Sequence, residues 1–247
     1  MALTLGILLC DDHYPESQAV YGHYDEAFKR LFDNSAVSSF VTYRVFEDAF
    51  PASPSECDVW LVTGSKWGVY ESDPWITQLI DFVQRCDQEG QALIGVCFGH
   101  QLIHLALGGK AAKSNKGWGM GLYPVRILDQ GAFDTGAQQT TLNLIAVHQD
   151  QVLESAPDFD VLAGSDFCPI AITQKDSRVL TMQCHPEFTD AFLLQLIERL
   201  REKAGDEKVD EAAEIIRACG MGDRSIVIDR LLAFLDQQMV SREKRQA

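Results

Sequence analysis

The sequence predicts an α/β fold in which an open, mostly parallel sheet is flanked by helices, with a small antiparallel excursion and a C-terminal helical extension. Two observations support this fold class. Short apolar segments alternate with segments of helical periodicity up to about residue 109, and parallel strands need helical crossovers of that kind. From Lys110 to Cys184, strand-like segments follow one another with only turn residues between them, which is typical of antiparallel strands.

The first half of the chain alternates strands and helices. The predicted strands are Leu3–Cys10, Ser39–Phe46, Asp58–Thr63 and Ala92–Val96. The predicted helices are Tyr21–Phe32, a segment from about 72 to 90, and Phe98–Leu107. In the middle helix, Ser72 is the expected N-cap, Pro74 lies in the first turn and Gly90 ends the helix.

The second half is predicted to leave the parallel arrangement and then to return to it. Strands are expected at about 121–129, 141–147, 160–164, 169–173 and 178–184. The last of these should rejoin the main sheet, and Thr189 or Asp190 should cap a helix that runs to about Arg201. Two further helices are predicted, at about 207–218 and 224–240. We therefore divide the chain into a main domain, residues 1–203, and a helical extension, residues 204–247.

The last predicted helix carries an apolar stripe. The stripe is formed by Ile228, Leu231, Leu232, Leu235 and Met239. An apolar helix face of this kind must pack against something. Either the main domain or a second subunit packs against it, so the sequence is compatible with an oligomer formed through this helix.

Composition and charge limit the classes of partner. The chain has 247 residues and a net charge of -15, and an acidic surface disfavours nucleic acids and anionic membranes. The apolar segment Met1–Cys10 lacks a basic flank and is too short to span a bilayer. The seven cysteines include no C-x-x-C pair, which is typical of a reducing compartment. We expect a cytoplasmic protein that binds neither nucleic acid nor membrane.

The segment Gly95-Val-Cys97-Phe-Gly99 joins a predicted strand to a predicted helix. A turn this tight strains its central residue and leaves no room for side chains two positions away. Cys97 would then project from the carboxyl edge of the sheet, at a helix N-terminus that favours the thiolate. The plainer interpretation is a buried cysteine between two closely packed glycines. The strand-to-helix setting favours a nucleophile.

A thiol nucleophile needs a base, and His185 is in a suitable place to be that base. It follows the predicted strand 178–184, and Pro186 ends that strand, so His185 should lie at the sheet edge where Cys97 emerges. Glu187 can accept a hydrogen bond from Nδ1 of His185 and fix its tautomer. Together with the turn at Cys97, the tripeptide His185-Pro186-Glu187 predicts a Cys97–His185–Glu187 triad.

His100 and His104 lie four residues apart on the helix after the turn, a spacing that suits a pair of metal ligands. No Cys, Asp or Glu at ligand spacing completes such a site. We therefore interpret the two histidines as packing or capping residues. Neither a metal nor an organic cofactor is expected.

The two motifs resemble those of the class I, triad-type glutamine amidotransferase domain, which has the pattern G-x-C-x-G-x-Q followed by H-P-E. The resemblance covers about residues 3–203 and implies a flavodoxin-like sheet. It also implies that Cys97 is the nucleophile, His185 the general base and Glu187 its orienting carboxylate. The main domain, 1–203, would then be the catalytic domain.

The resemblance further implies a substrate pocket around these residues. Gln101 matches a glutamine that helps to hold the substrate, and the N–H groups of Gly64 and Phe98 match the donors of the oxyanion hole. The segment 148–150 resembles an H-G-D segment that borders the pocket, with Gln149 in place of the glycine.

Other stretches look closest to a stand-alone branch, similar to the amidotransferase domain of GMP synthase and to γ-glutamyl peptidases. These stretches are Tyr21–Tyr24, Val62–Ser65, Asp73–Ile76 and Lys116–Gly121. Two departures from the family pattern, at Gln149 and at Ser65-Lys66, lie where the amino-acid end of a substrate would bind. The identity of the ligand therefore stays open.

The implied reaction is acyl transfer through a γ-glutamyl thioester. The first hypothesis is a glutamine amidotransferase-type hydrolase, which cleaves glutamine and releases ammonia to a synthetase partner in trans or to water. The alternative is a γ-glutamyl peptidase that acts on glutathione-like conjugates. A second alternative is a non-catalytic regulator on the same fold, against which the intact triad argues. Glutamine or another γ-glutamyl compound is the expected small-molecule partner.

Overall fold

The computed structural model describes residues 2–33, 35–133 and 139–246. Its strands are β1 Leu3–Leu9, β2 Val37–Arg44, β3 Val59–Val62, β4 Ala92–Val96, β5 Lys110–Lys113, β6 Gly119–Ile127, β7 Thr141–His148, β8 Asp150–Glu154, β9 Phe159–Gly164, β10 Ile172–Lys175 and β11 Val179–Met182. Its helices are α1 Pro15–Tyr21, α2 Tyr24–Leu31, α3 Pro74–Gln88, α4 Phe98–Ala106, α5 Asp190–Arg199, α6 Arg201–Ala204, α7 Asp206–Cys219 and α8 Arg224–Gln246.

One large sheet organises the fold, with the strand order β2-β1-β3-β4-β11-β10-β9-β6-β7. The first five strands of this order are parallel, and the remaining four continue the same sheet in antiparallel fashion. The predicted α/β fold class is confirmed. As expected, the chain returns from the antiparallel region to the parallel sheet at β11, which pairs with β4.

The structure departs from the predicted elements in three places. The predicted helix at Tyr21–Phe32 is α2, which begins only at Tyr24, and the separate helix α1, which ends at Gly22 with a φ of 79°, was not predicted. Pro74 does begin α3, but the N-cap is Asp73, so the prediction of Ser72 at that position is wrong. A small sheet of β5 and β8 was not predicted, since the short and partly exposed strand Lys110–Lys113 lacks a strong strand pattern.

Alternate side chains of β1 point into apolar clusters on opposite faces of the sheet. Ile7 and Leu9 join the cluster that includes residues of α2, α5, α7 and α8, whereas Leu8 joins the cluster under α3 and α4. All three side chains are fully buried. Each buried side chain of this size contributes about 1.5–3 kcal/mol to the free energy of unfolding. This two-sided burial fixes the position of the strand ends that carry the site.

The apolar stripe of the last helix is covered by the chain itself only in part, because Ile228, Leu232 and Met239 are partly buried. Leu231 and Leu235 are fully buried, as is Phe234, in the same cluster as the β1 residues. The same helix is tied to neighbouring segments by Gln238, which donates to the Ser177 carbonyl over 2.6 Å. Packing within the chain therefore accounts for the part of the stripe formed by Leu231 and Leu235. None of the described helices has the length and apolar character needed to cross a membrane.

Candidate active site

Cys97 occupies the turn between β4 and α4 with a φ of 53° and a ψ of -103°. A positive φ is strained for a residue with a side chain and costs about 1–3 kcal/mol. The two flanking glycines permit the turn. A Cβ on Gly95 would lie 2.7 Å from the carbonyl oxygen of Gly99, and a Cβ on Gly99 would collide with the carbonyl of Val62. Backbone segments thus pack directly against both glycines, as the motif predicted.

The expected oxyanion donors come from the turn itself and from the segment that follows the neighbouring strand β3. Phe98 is the first residue of α4, so its N–H has no carbonyl partner within the helix and lies at the positive end of the helix dipole. Gly64 follows β3, which pairs with β4. A Cβ on Gly64 would lie 3.1 Å from Cε1 of His185, so the backbone of this residue borders the histidine ring.

Strand register brings His185 to the same edge as Cys97. Met182, the last residue of β11, pairs with Val96, the last residue of β4. The chain that follows each strand therefore leaves the sheet at the same level. His185 and Glu187 are buried, and Nδ1 of His185 lies 2.7 Å from Oε1 of Glu187. The residues predicted as a triad are brought together.

The charge state of His185 follows from its two neighbours. Burial disfavours the imidazolium, but the Glu187 carboxylate and a hydrogen bond with the Cys97 side chain outweigh it and raise the pKa of His185 to about 10. The ring therefore holds its proton at neutral pH. This arrangement suits an acid that later protonates a leaving group.

Tyr24 is a residue of this site that the sequence motifs did not identify. Its hydroxyl donates to Oε1 of Glu187 over 2.6 Å, from the start of α2. Burial and the nearby Glu187 carboxylate raise the pKa of Tyr24 well above its usual value, so the hydroxyl remains a donor. Tyr24 belongs to one of the stretches that resemble the stand-alone branch, but that resemblance implied no role for it.

Gln101 forms a chain of hydrogen bonds beneath the nucleophile. Its Nε2 donates to the Asp150 carbonyl over 2.9 Å and to Oε1 of Gln183 over 3.0 Å. Gln183 in turn places its Nε2 3.4 Å from the sulfur of Cys97. Gln183 was also missed, because a single glutamine directly after a strand forms no recognisable pattern.

Gln149 lies at the wall of the cavity in front of Cys97, next to a fixed histidine. The ring of His148 is buried, which lowers its pKa to about 4 and keeps it neutral. Its Nδ1 therefore donates to the Asp150 carbonyl, over 3.0 Å. The carbonyl of Gln149 accepts from the N–H of Ser114 over 3.1 Å. The backbone of this segment is thus held at the wall of the cavity.

His100 and His104 are held by hydrogen bonds in the interior. Nδ1 of His100 lies 2.7 Å from the hydroxyl of Thr181, and Nε2 of His104 lies 2.9 Å from that of Thr173. Both histidines are fully buried, and burial lowers the pKa of each. Across residues 2–33, 35–133 and 139–246 there is no cluster of three or more His, Cys, Asp or Glu that could hold a metal.

A cavity of about 650 Å³ opens in front of Cys97 and His185. Sites that enclose drug-sized ligands have volumes of about 300–1,000 Å³. Its inner wall includes Gly64, Cys97, Gln101 and His185, and its outer wall is formed by aromatic and charged side chains. The outer residues include Tyr14, Lys66, Trp67, Trp118, Arg199 and Lys203. The cavity offers more room than a single amino acid fills.

Comparison with known proteins supplies independent information. Residues 32–191 match the family described as Glutamine amidotransferase class-I. The chain is 29% identical to Gamma-glutamyl peptidase 2 of Arabidopsis thaliana, over 81% of this chain and 84% of that protein. It is 33% identical to one component of the glutamine-hydrolyzing GMP synthase of Pyrococcus abyssi, over 42% of this chain and 55% of that protein.

A solved structure of a glutamine amido transferase from Methylobacillus flagellatus superposes with a TM-score of 0.72. The alignment covers 97% of this chain and 94% of the other, at 17% sequence identity. At that identity the superposition shows a shared fold.

Proposed function

Because the chain belongs to the class I glutamine amidotransferase family, we propose that it is a cysteine-dependent hydrolase of γ-glutamyl amides. The observation that carries the proposal is the buried arrangement of Cys97, His185 and Glu187 at one edge of the sheet. An intact arrangement of this kind argues against a purely regulatory role. A nucleophile, a proton donor and an orienting carboxylate together meet the needs of acyl transfer.

In the proposed reaction, the thiolate of Cys97 attacks the γ-carbonyl carbon and forms a C–S bond. The N–H groups of Gly64 and Phe98 stabilise the oxyanion, and each such donor contributes about 10²–10³ in rate. His185 protonates the nitrogen as the C–N bond breaks, which releases the amine and leaves a γ-glutamyl thioester. Water then attacks the thioester while His185 accepts a proton, and glutamate leaves with the sulfur restored to thiolate.

We propose γ-glutamyl peptides as the preferred substrates. A cavity of about 650 Å³ leaves space beyond the γ-glutamyl group for a leaving amine larger than ammonia. The similarity to a γ-glutamyl peptidase over most of both chains supports the same choice. Glutamine is the second candidate, supported by the family and by the similarity to a component of GMP synthase. If glutamine is the substrate, a synthetase in trans can accept the ammonia.

Hydrolysis assays with matched substrates test the proposal. γ-Glutamyl-alanine and glutathione should release their amines, glutamine should release ammonia more slowly, and α-glutamyl-alanine should be stable. Cys97→Ala should abolish all γ-glutamyl cleavage, because the nucleophile is lost. Cys219→Ala, which changes an exposed cysteine, is the matched control and should retain full activity.

Two results would contradict the proposal. One is the absence of cleavage of every γ-glutamyl compound by the folded protein. The other is labelling by a glutamine-mimicking diazo-ketone at a cysteine other than Cys97. If glutamine is cleaved much faster than the peptides, the hydrolase assignment stands and the preference for peptides is wrong.

A further inference from the structure

The side-chain amide of Gln183 lies against the reacting sulfur. Its Nε2 is 3.4 Å from Sγ of Cys97, and both residues are buried. We infer that Gln183 is a further catalytic residue, which donates a hydrogen bond to the Cys97 thiolate and is held in the donating orientation by Gln101 and the Asp150 carbonyl. This inference rests on the proposed function in so far as Cys97 is the nucleophile.

The direction of this hydrogen bond is set by a backbone carbonyl. The carbonyl oxygen of Asp150 can only accept, so Gln101 must present its amide nitrogen to it, at 2.9 Å. The same nitrogen lies 3.0 Å from the amide of Gln183, which must therefore present its oxygen. The nitrogen of Gln183 is left facing the sulfur of Cys97. Rotating either amide by 180° would place like atoms against each other.

The surroundings keep the amide of Gln183 in place. Gln183 is 2% exposed and Gln101 is 3% exposed, so the protein largely shields both amides from water. The backbone N–H of Gln183 donates to the Ala171 carbonyl over 2.8 Å, and the N–H of Cys97 donates to the carbonyl of Met182 over 2.8 Å. A donor fixed in a buried position stabilises negative charge more strongly than one in water.

The chemistry places negative charge on this sulfur at two moments. The first is before attack, when Cys97 is a thiolate. The second is during hydrolysis of the thioester, when the C–S bond breaks and its electron pair returns to sulfur, while the proton from water is on His185. A neutral donor at Gln183 stabilises the thiolate at both moments and leaves the thioester, a weaker acceptor, unaffected.

Gln101 acts through Gln183 and is a positioning residue. The resemblance to known amidotransferases implied that Gln101 helps to hold the substrate. In the structure, its amide nitrogen is engaged with Asp150 and Gln183. Removing Gln101 should therefore destabilise the Cys97 thiolate indirectly, because the amide of Gln183 would be free to rotate.

The test is the pH dependence of iodoacetamide alkylation, read on the peptide that contains Cys97. Gln183→Met keeps the length of the side chain but has no N–H. Its alkylation midpoint should rise by about one pH unit, the amount expected for one hydrogen bond to a charged group. Its kcat/KM at pH 7 should fall about tenfold to a hundredfold and recover partly as the pH is raised. A purely structural role would not produce that recovery.

Two further variants complete the design. Gln101→Met should raise the pH midpoint of Cys97 alkylation by a smaller amount. If circular dichroism shows that Gln183→Met does not fold, the Gln101→Met variant tests the role of Gln183 instead. Gln84→Met is the matched control, because Gln84 donates one hydrogen bond to the Ala106 carbonyl, at the far end of α4 from Cys97. Its midpoint should equal that of the wild type.

The inference is overturned if the folded Gln183 and Gln101 variants keep the wild-type midpoint, or if the Gln84 control shifts by as much as they do. Alkylation needs no substrate. A protein that cleaves no γ-glutamyl compound would contradict the proposed function, while the alkylation midpoints would still decide the role of Gln183.

Discussion

The hydroxyl of Tyr24 donates a 2.6 Å hydrogen bond to Oε1 of Glu187, the same oxygen that lies 2.7 Å from Nδ1 of His185. One carboxylate oxygen thus binds both a tyrosine hydroxyl from α2 and a histidine ring that follows β11. Because the tyrosine limits the positions that the carboxylate can take, it also limits the orientation of the histidine ring.

Tyr24→Phe should lower kcat/KM about tenfold, which corresponds to the loss of one hydrogen bond to a charged group. The aromatic ring would remain packed against Phe28, so the fold should be retained. The measurement is steady-state hydrolysis of a γ-glutamyl peptide. Tyr43→Phe removes a hydroxyl-to-glutamate bond of the same 2.6 Å length at the surface, and its activity should not change. Equal effects in the two variants would contradict a positioning role for Tyr24.

The raised pKa of His185 should make stability depend on pH. The folded pKa is about 10, above the value of about 6.5 in an unfolded chain, so the native state holds the proton more tightly. The resulting stabilisation is fully present below about pH 6.5 and is lost as the pH rises towards 10. Urea unfolding of wild type and His185→Gln should therefore give a difference in the free energy of unfolding that narrows from pH 6.5 to 10. A difference that is constant or that widens would refute this charge state.

Gly99→Ala should destabilise the protein by about 3 kcal/mol and reduce activity, since overpacking against backbone cannot be relieved by a side-chain rotation. The added methyl group would meet the carbonyl of Val62. Chemical denaturation and hydrolysis rates measure the two effects. The control is Gly131→Ala, whose nearest neighbour is the flexible side chain of Asp129 at 3.3 Å, and it should be close to neutral. A stable, active Gly99→Ala protein would show that the turn tolerates a side chain.

Phe234→Ala should lower the free energy of unfolding by about 3–5 kcal/mol, because it leaves a cavity in the apolar cluster that includes residues of β1. Val240→Ala, on the same helix but 45% exposed, should change the free energy of unfolding by less than about 0.5 kcal/mol. Thermal or urea unfolding of the two variants makes the comparison. Similar small losses in both would mean that α8 contributes little to the common core.

The turn at Cys97 was predictable because its signal is local. Gly95, Cys97 and Gly99 lie within five consecutive residues, and the steric reason for both glycines operates within that segment and its neighbouring strand. The position of His185 was predictable for a related reason: a proline ends its strand, and parallel strands present their carboxyl ends at one edge.

Tyr24 and Gln183 depend on packing over long sequence separations. Tyr24 is 163 positions from Glu187, and it reaches the carboxylate from the first residue of α2. Gln183 meets Cys97 across 86 positions, through the pairing of β11 with β4. Neither contact can be predicted from a periodic sequence pattern, because each involves a single polar side chain.

The contact between the last helix and the first strand has a consequence for biosynthesis. Arg242 of α8 donates to the carbonyl of Ala2, 240 positions away, and to the carboxylate of Asp58. Contacts between segments this far apart in sequence slow folding, because the entropy of closing a long loop is lost before the contacts stabilise the chain. As the chain leaves the ribosome, the apolar cluster that β1 residues share with Leu231 and Leu235 would stay incomplete until α8 had been synthesised. Emerging chains should therefore depend on chaperones until α8 is released.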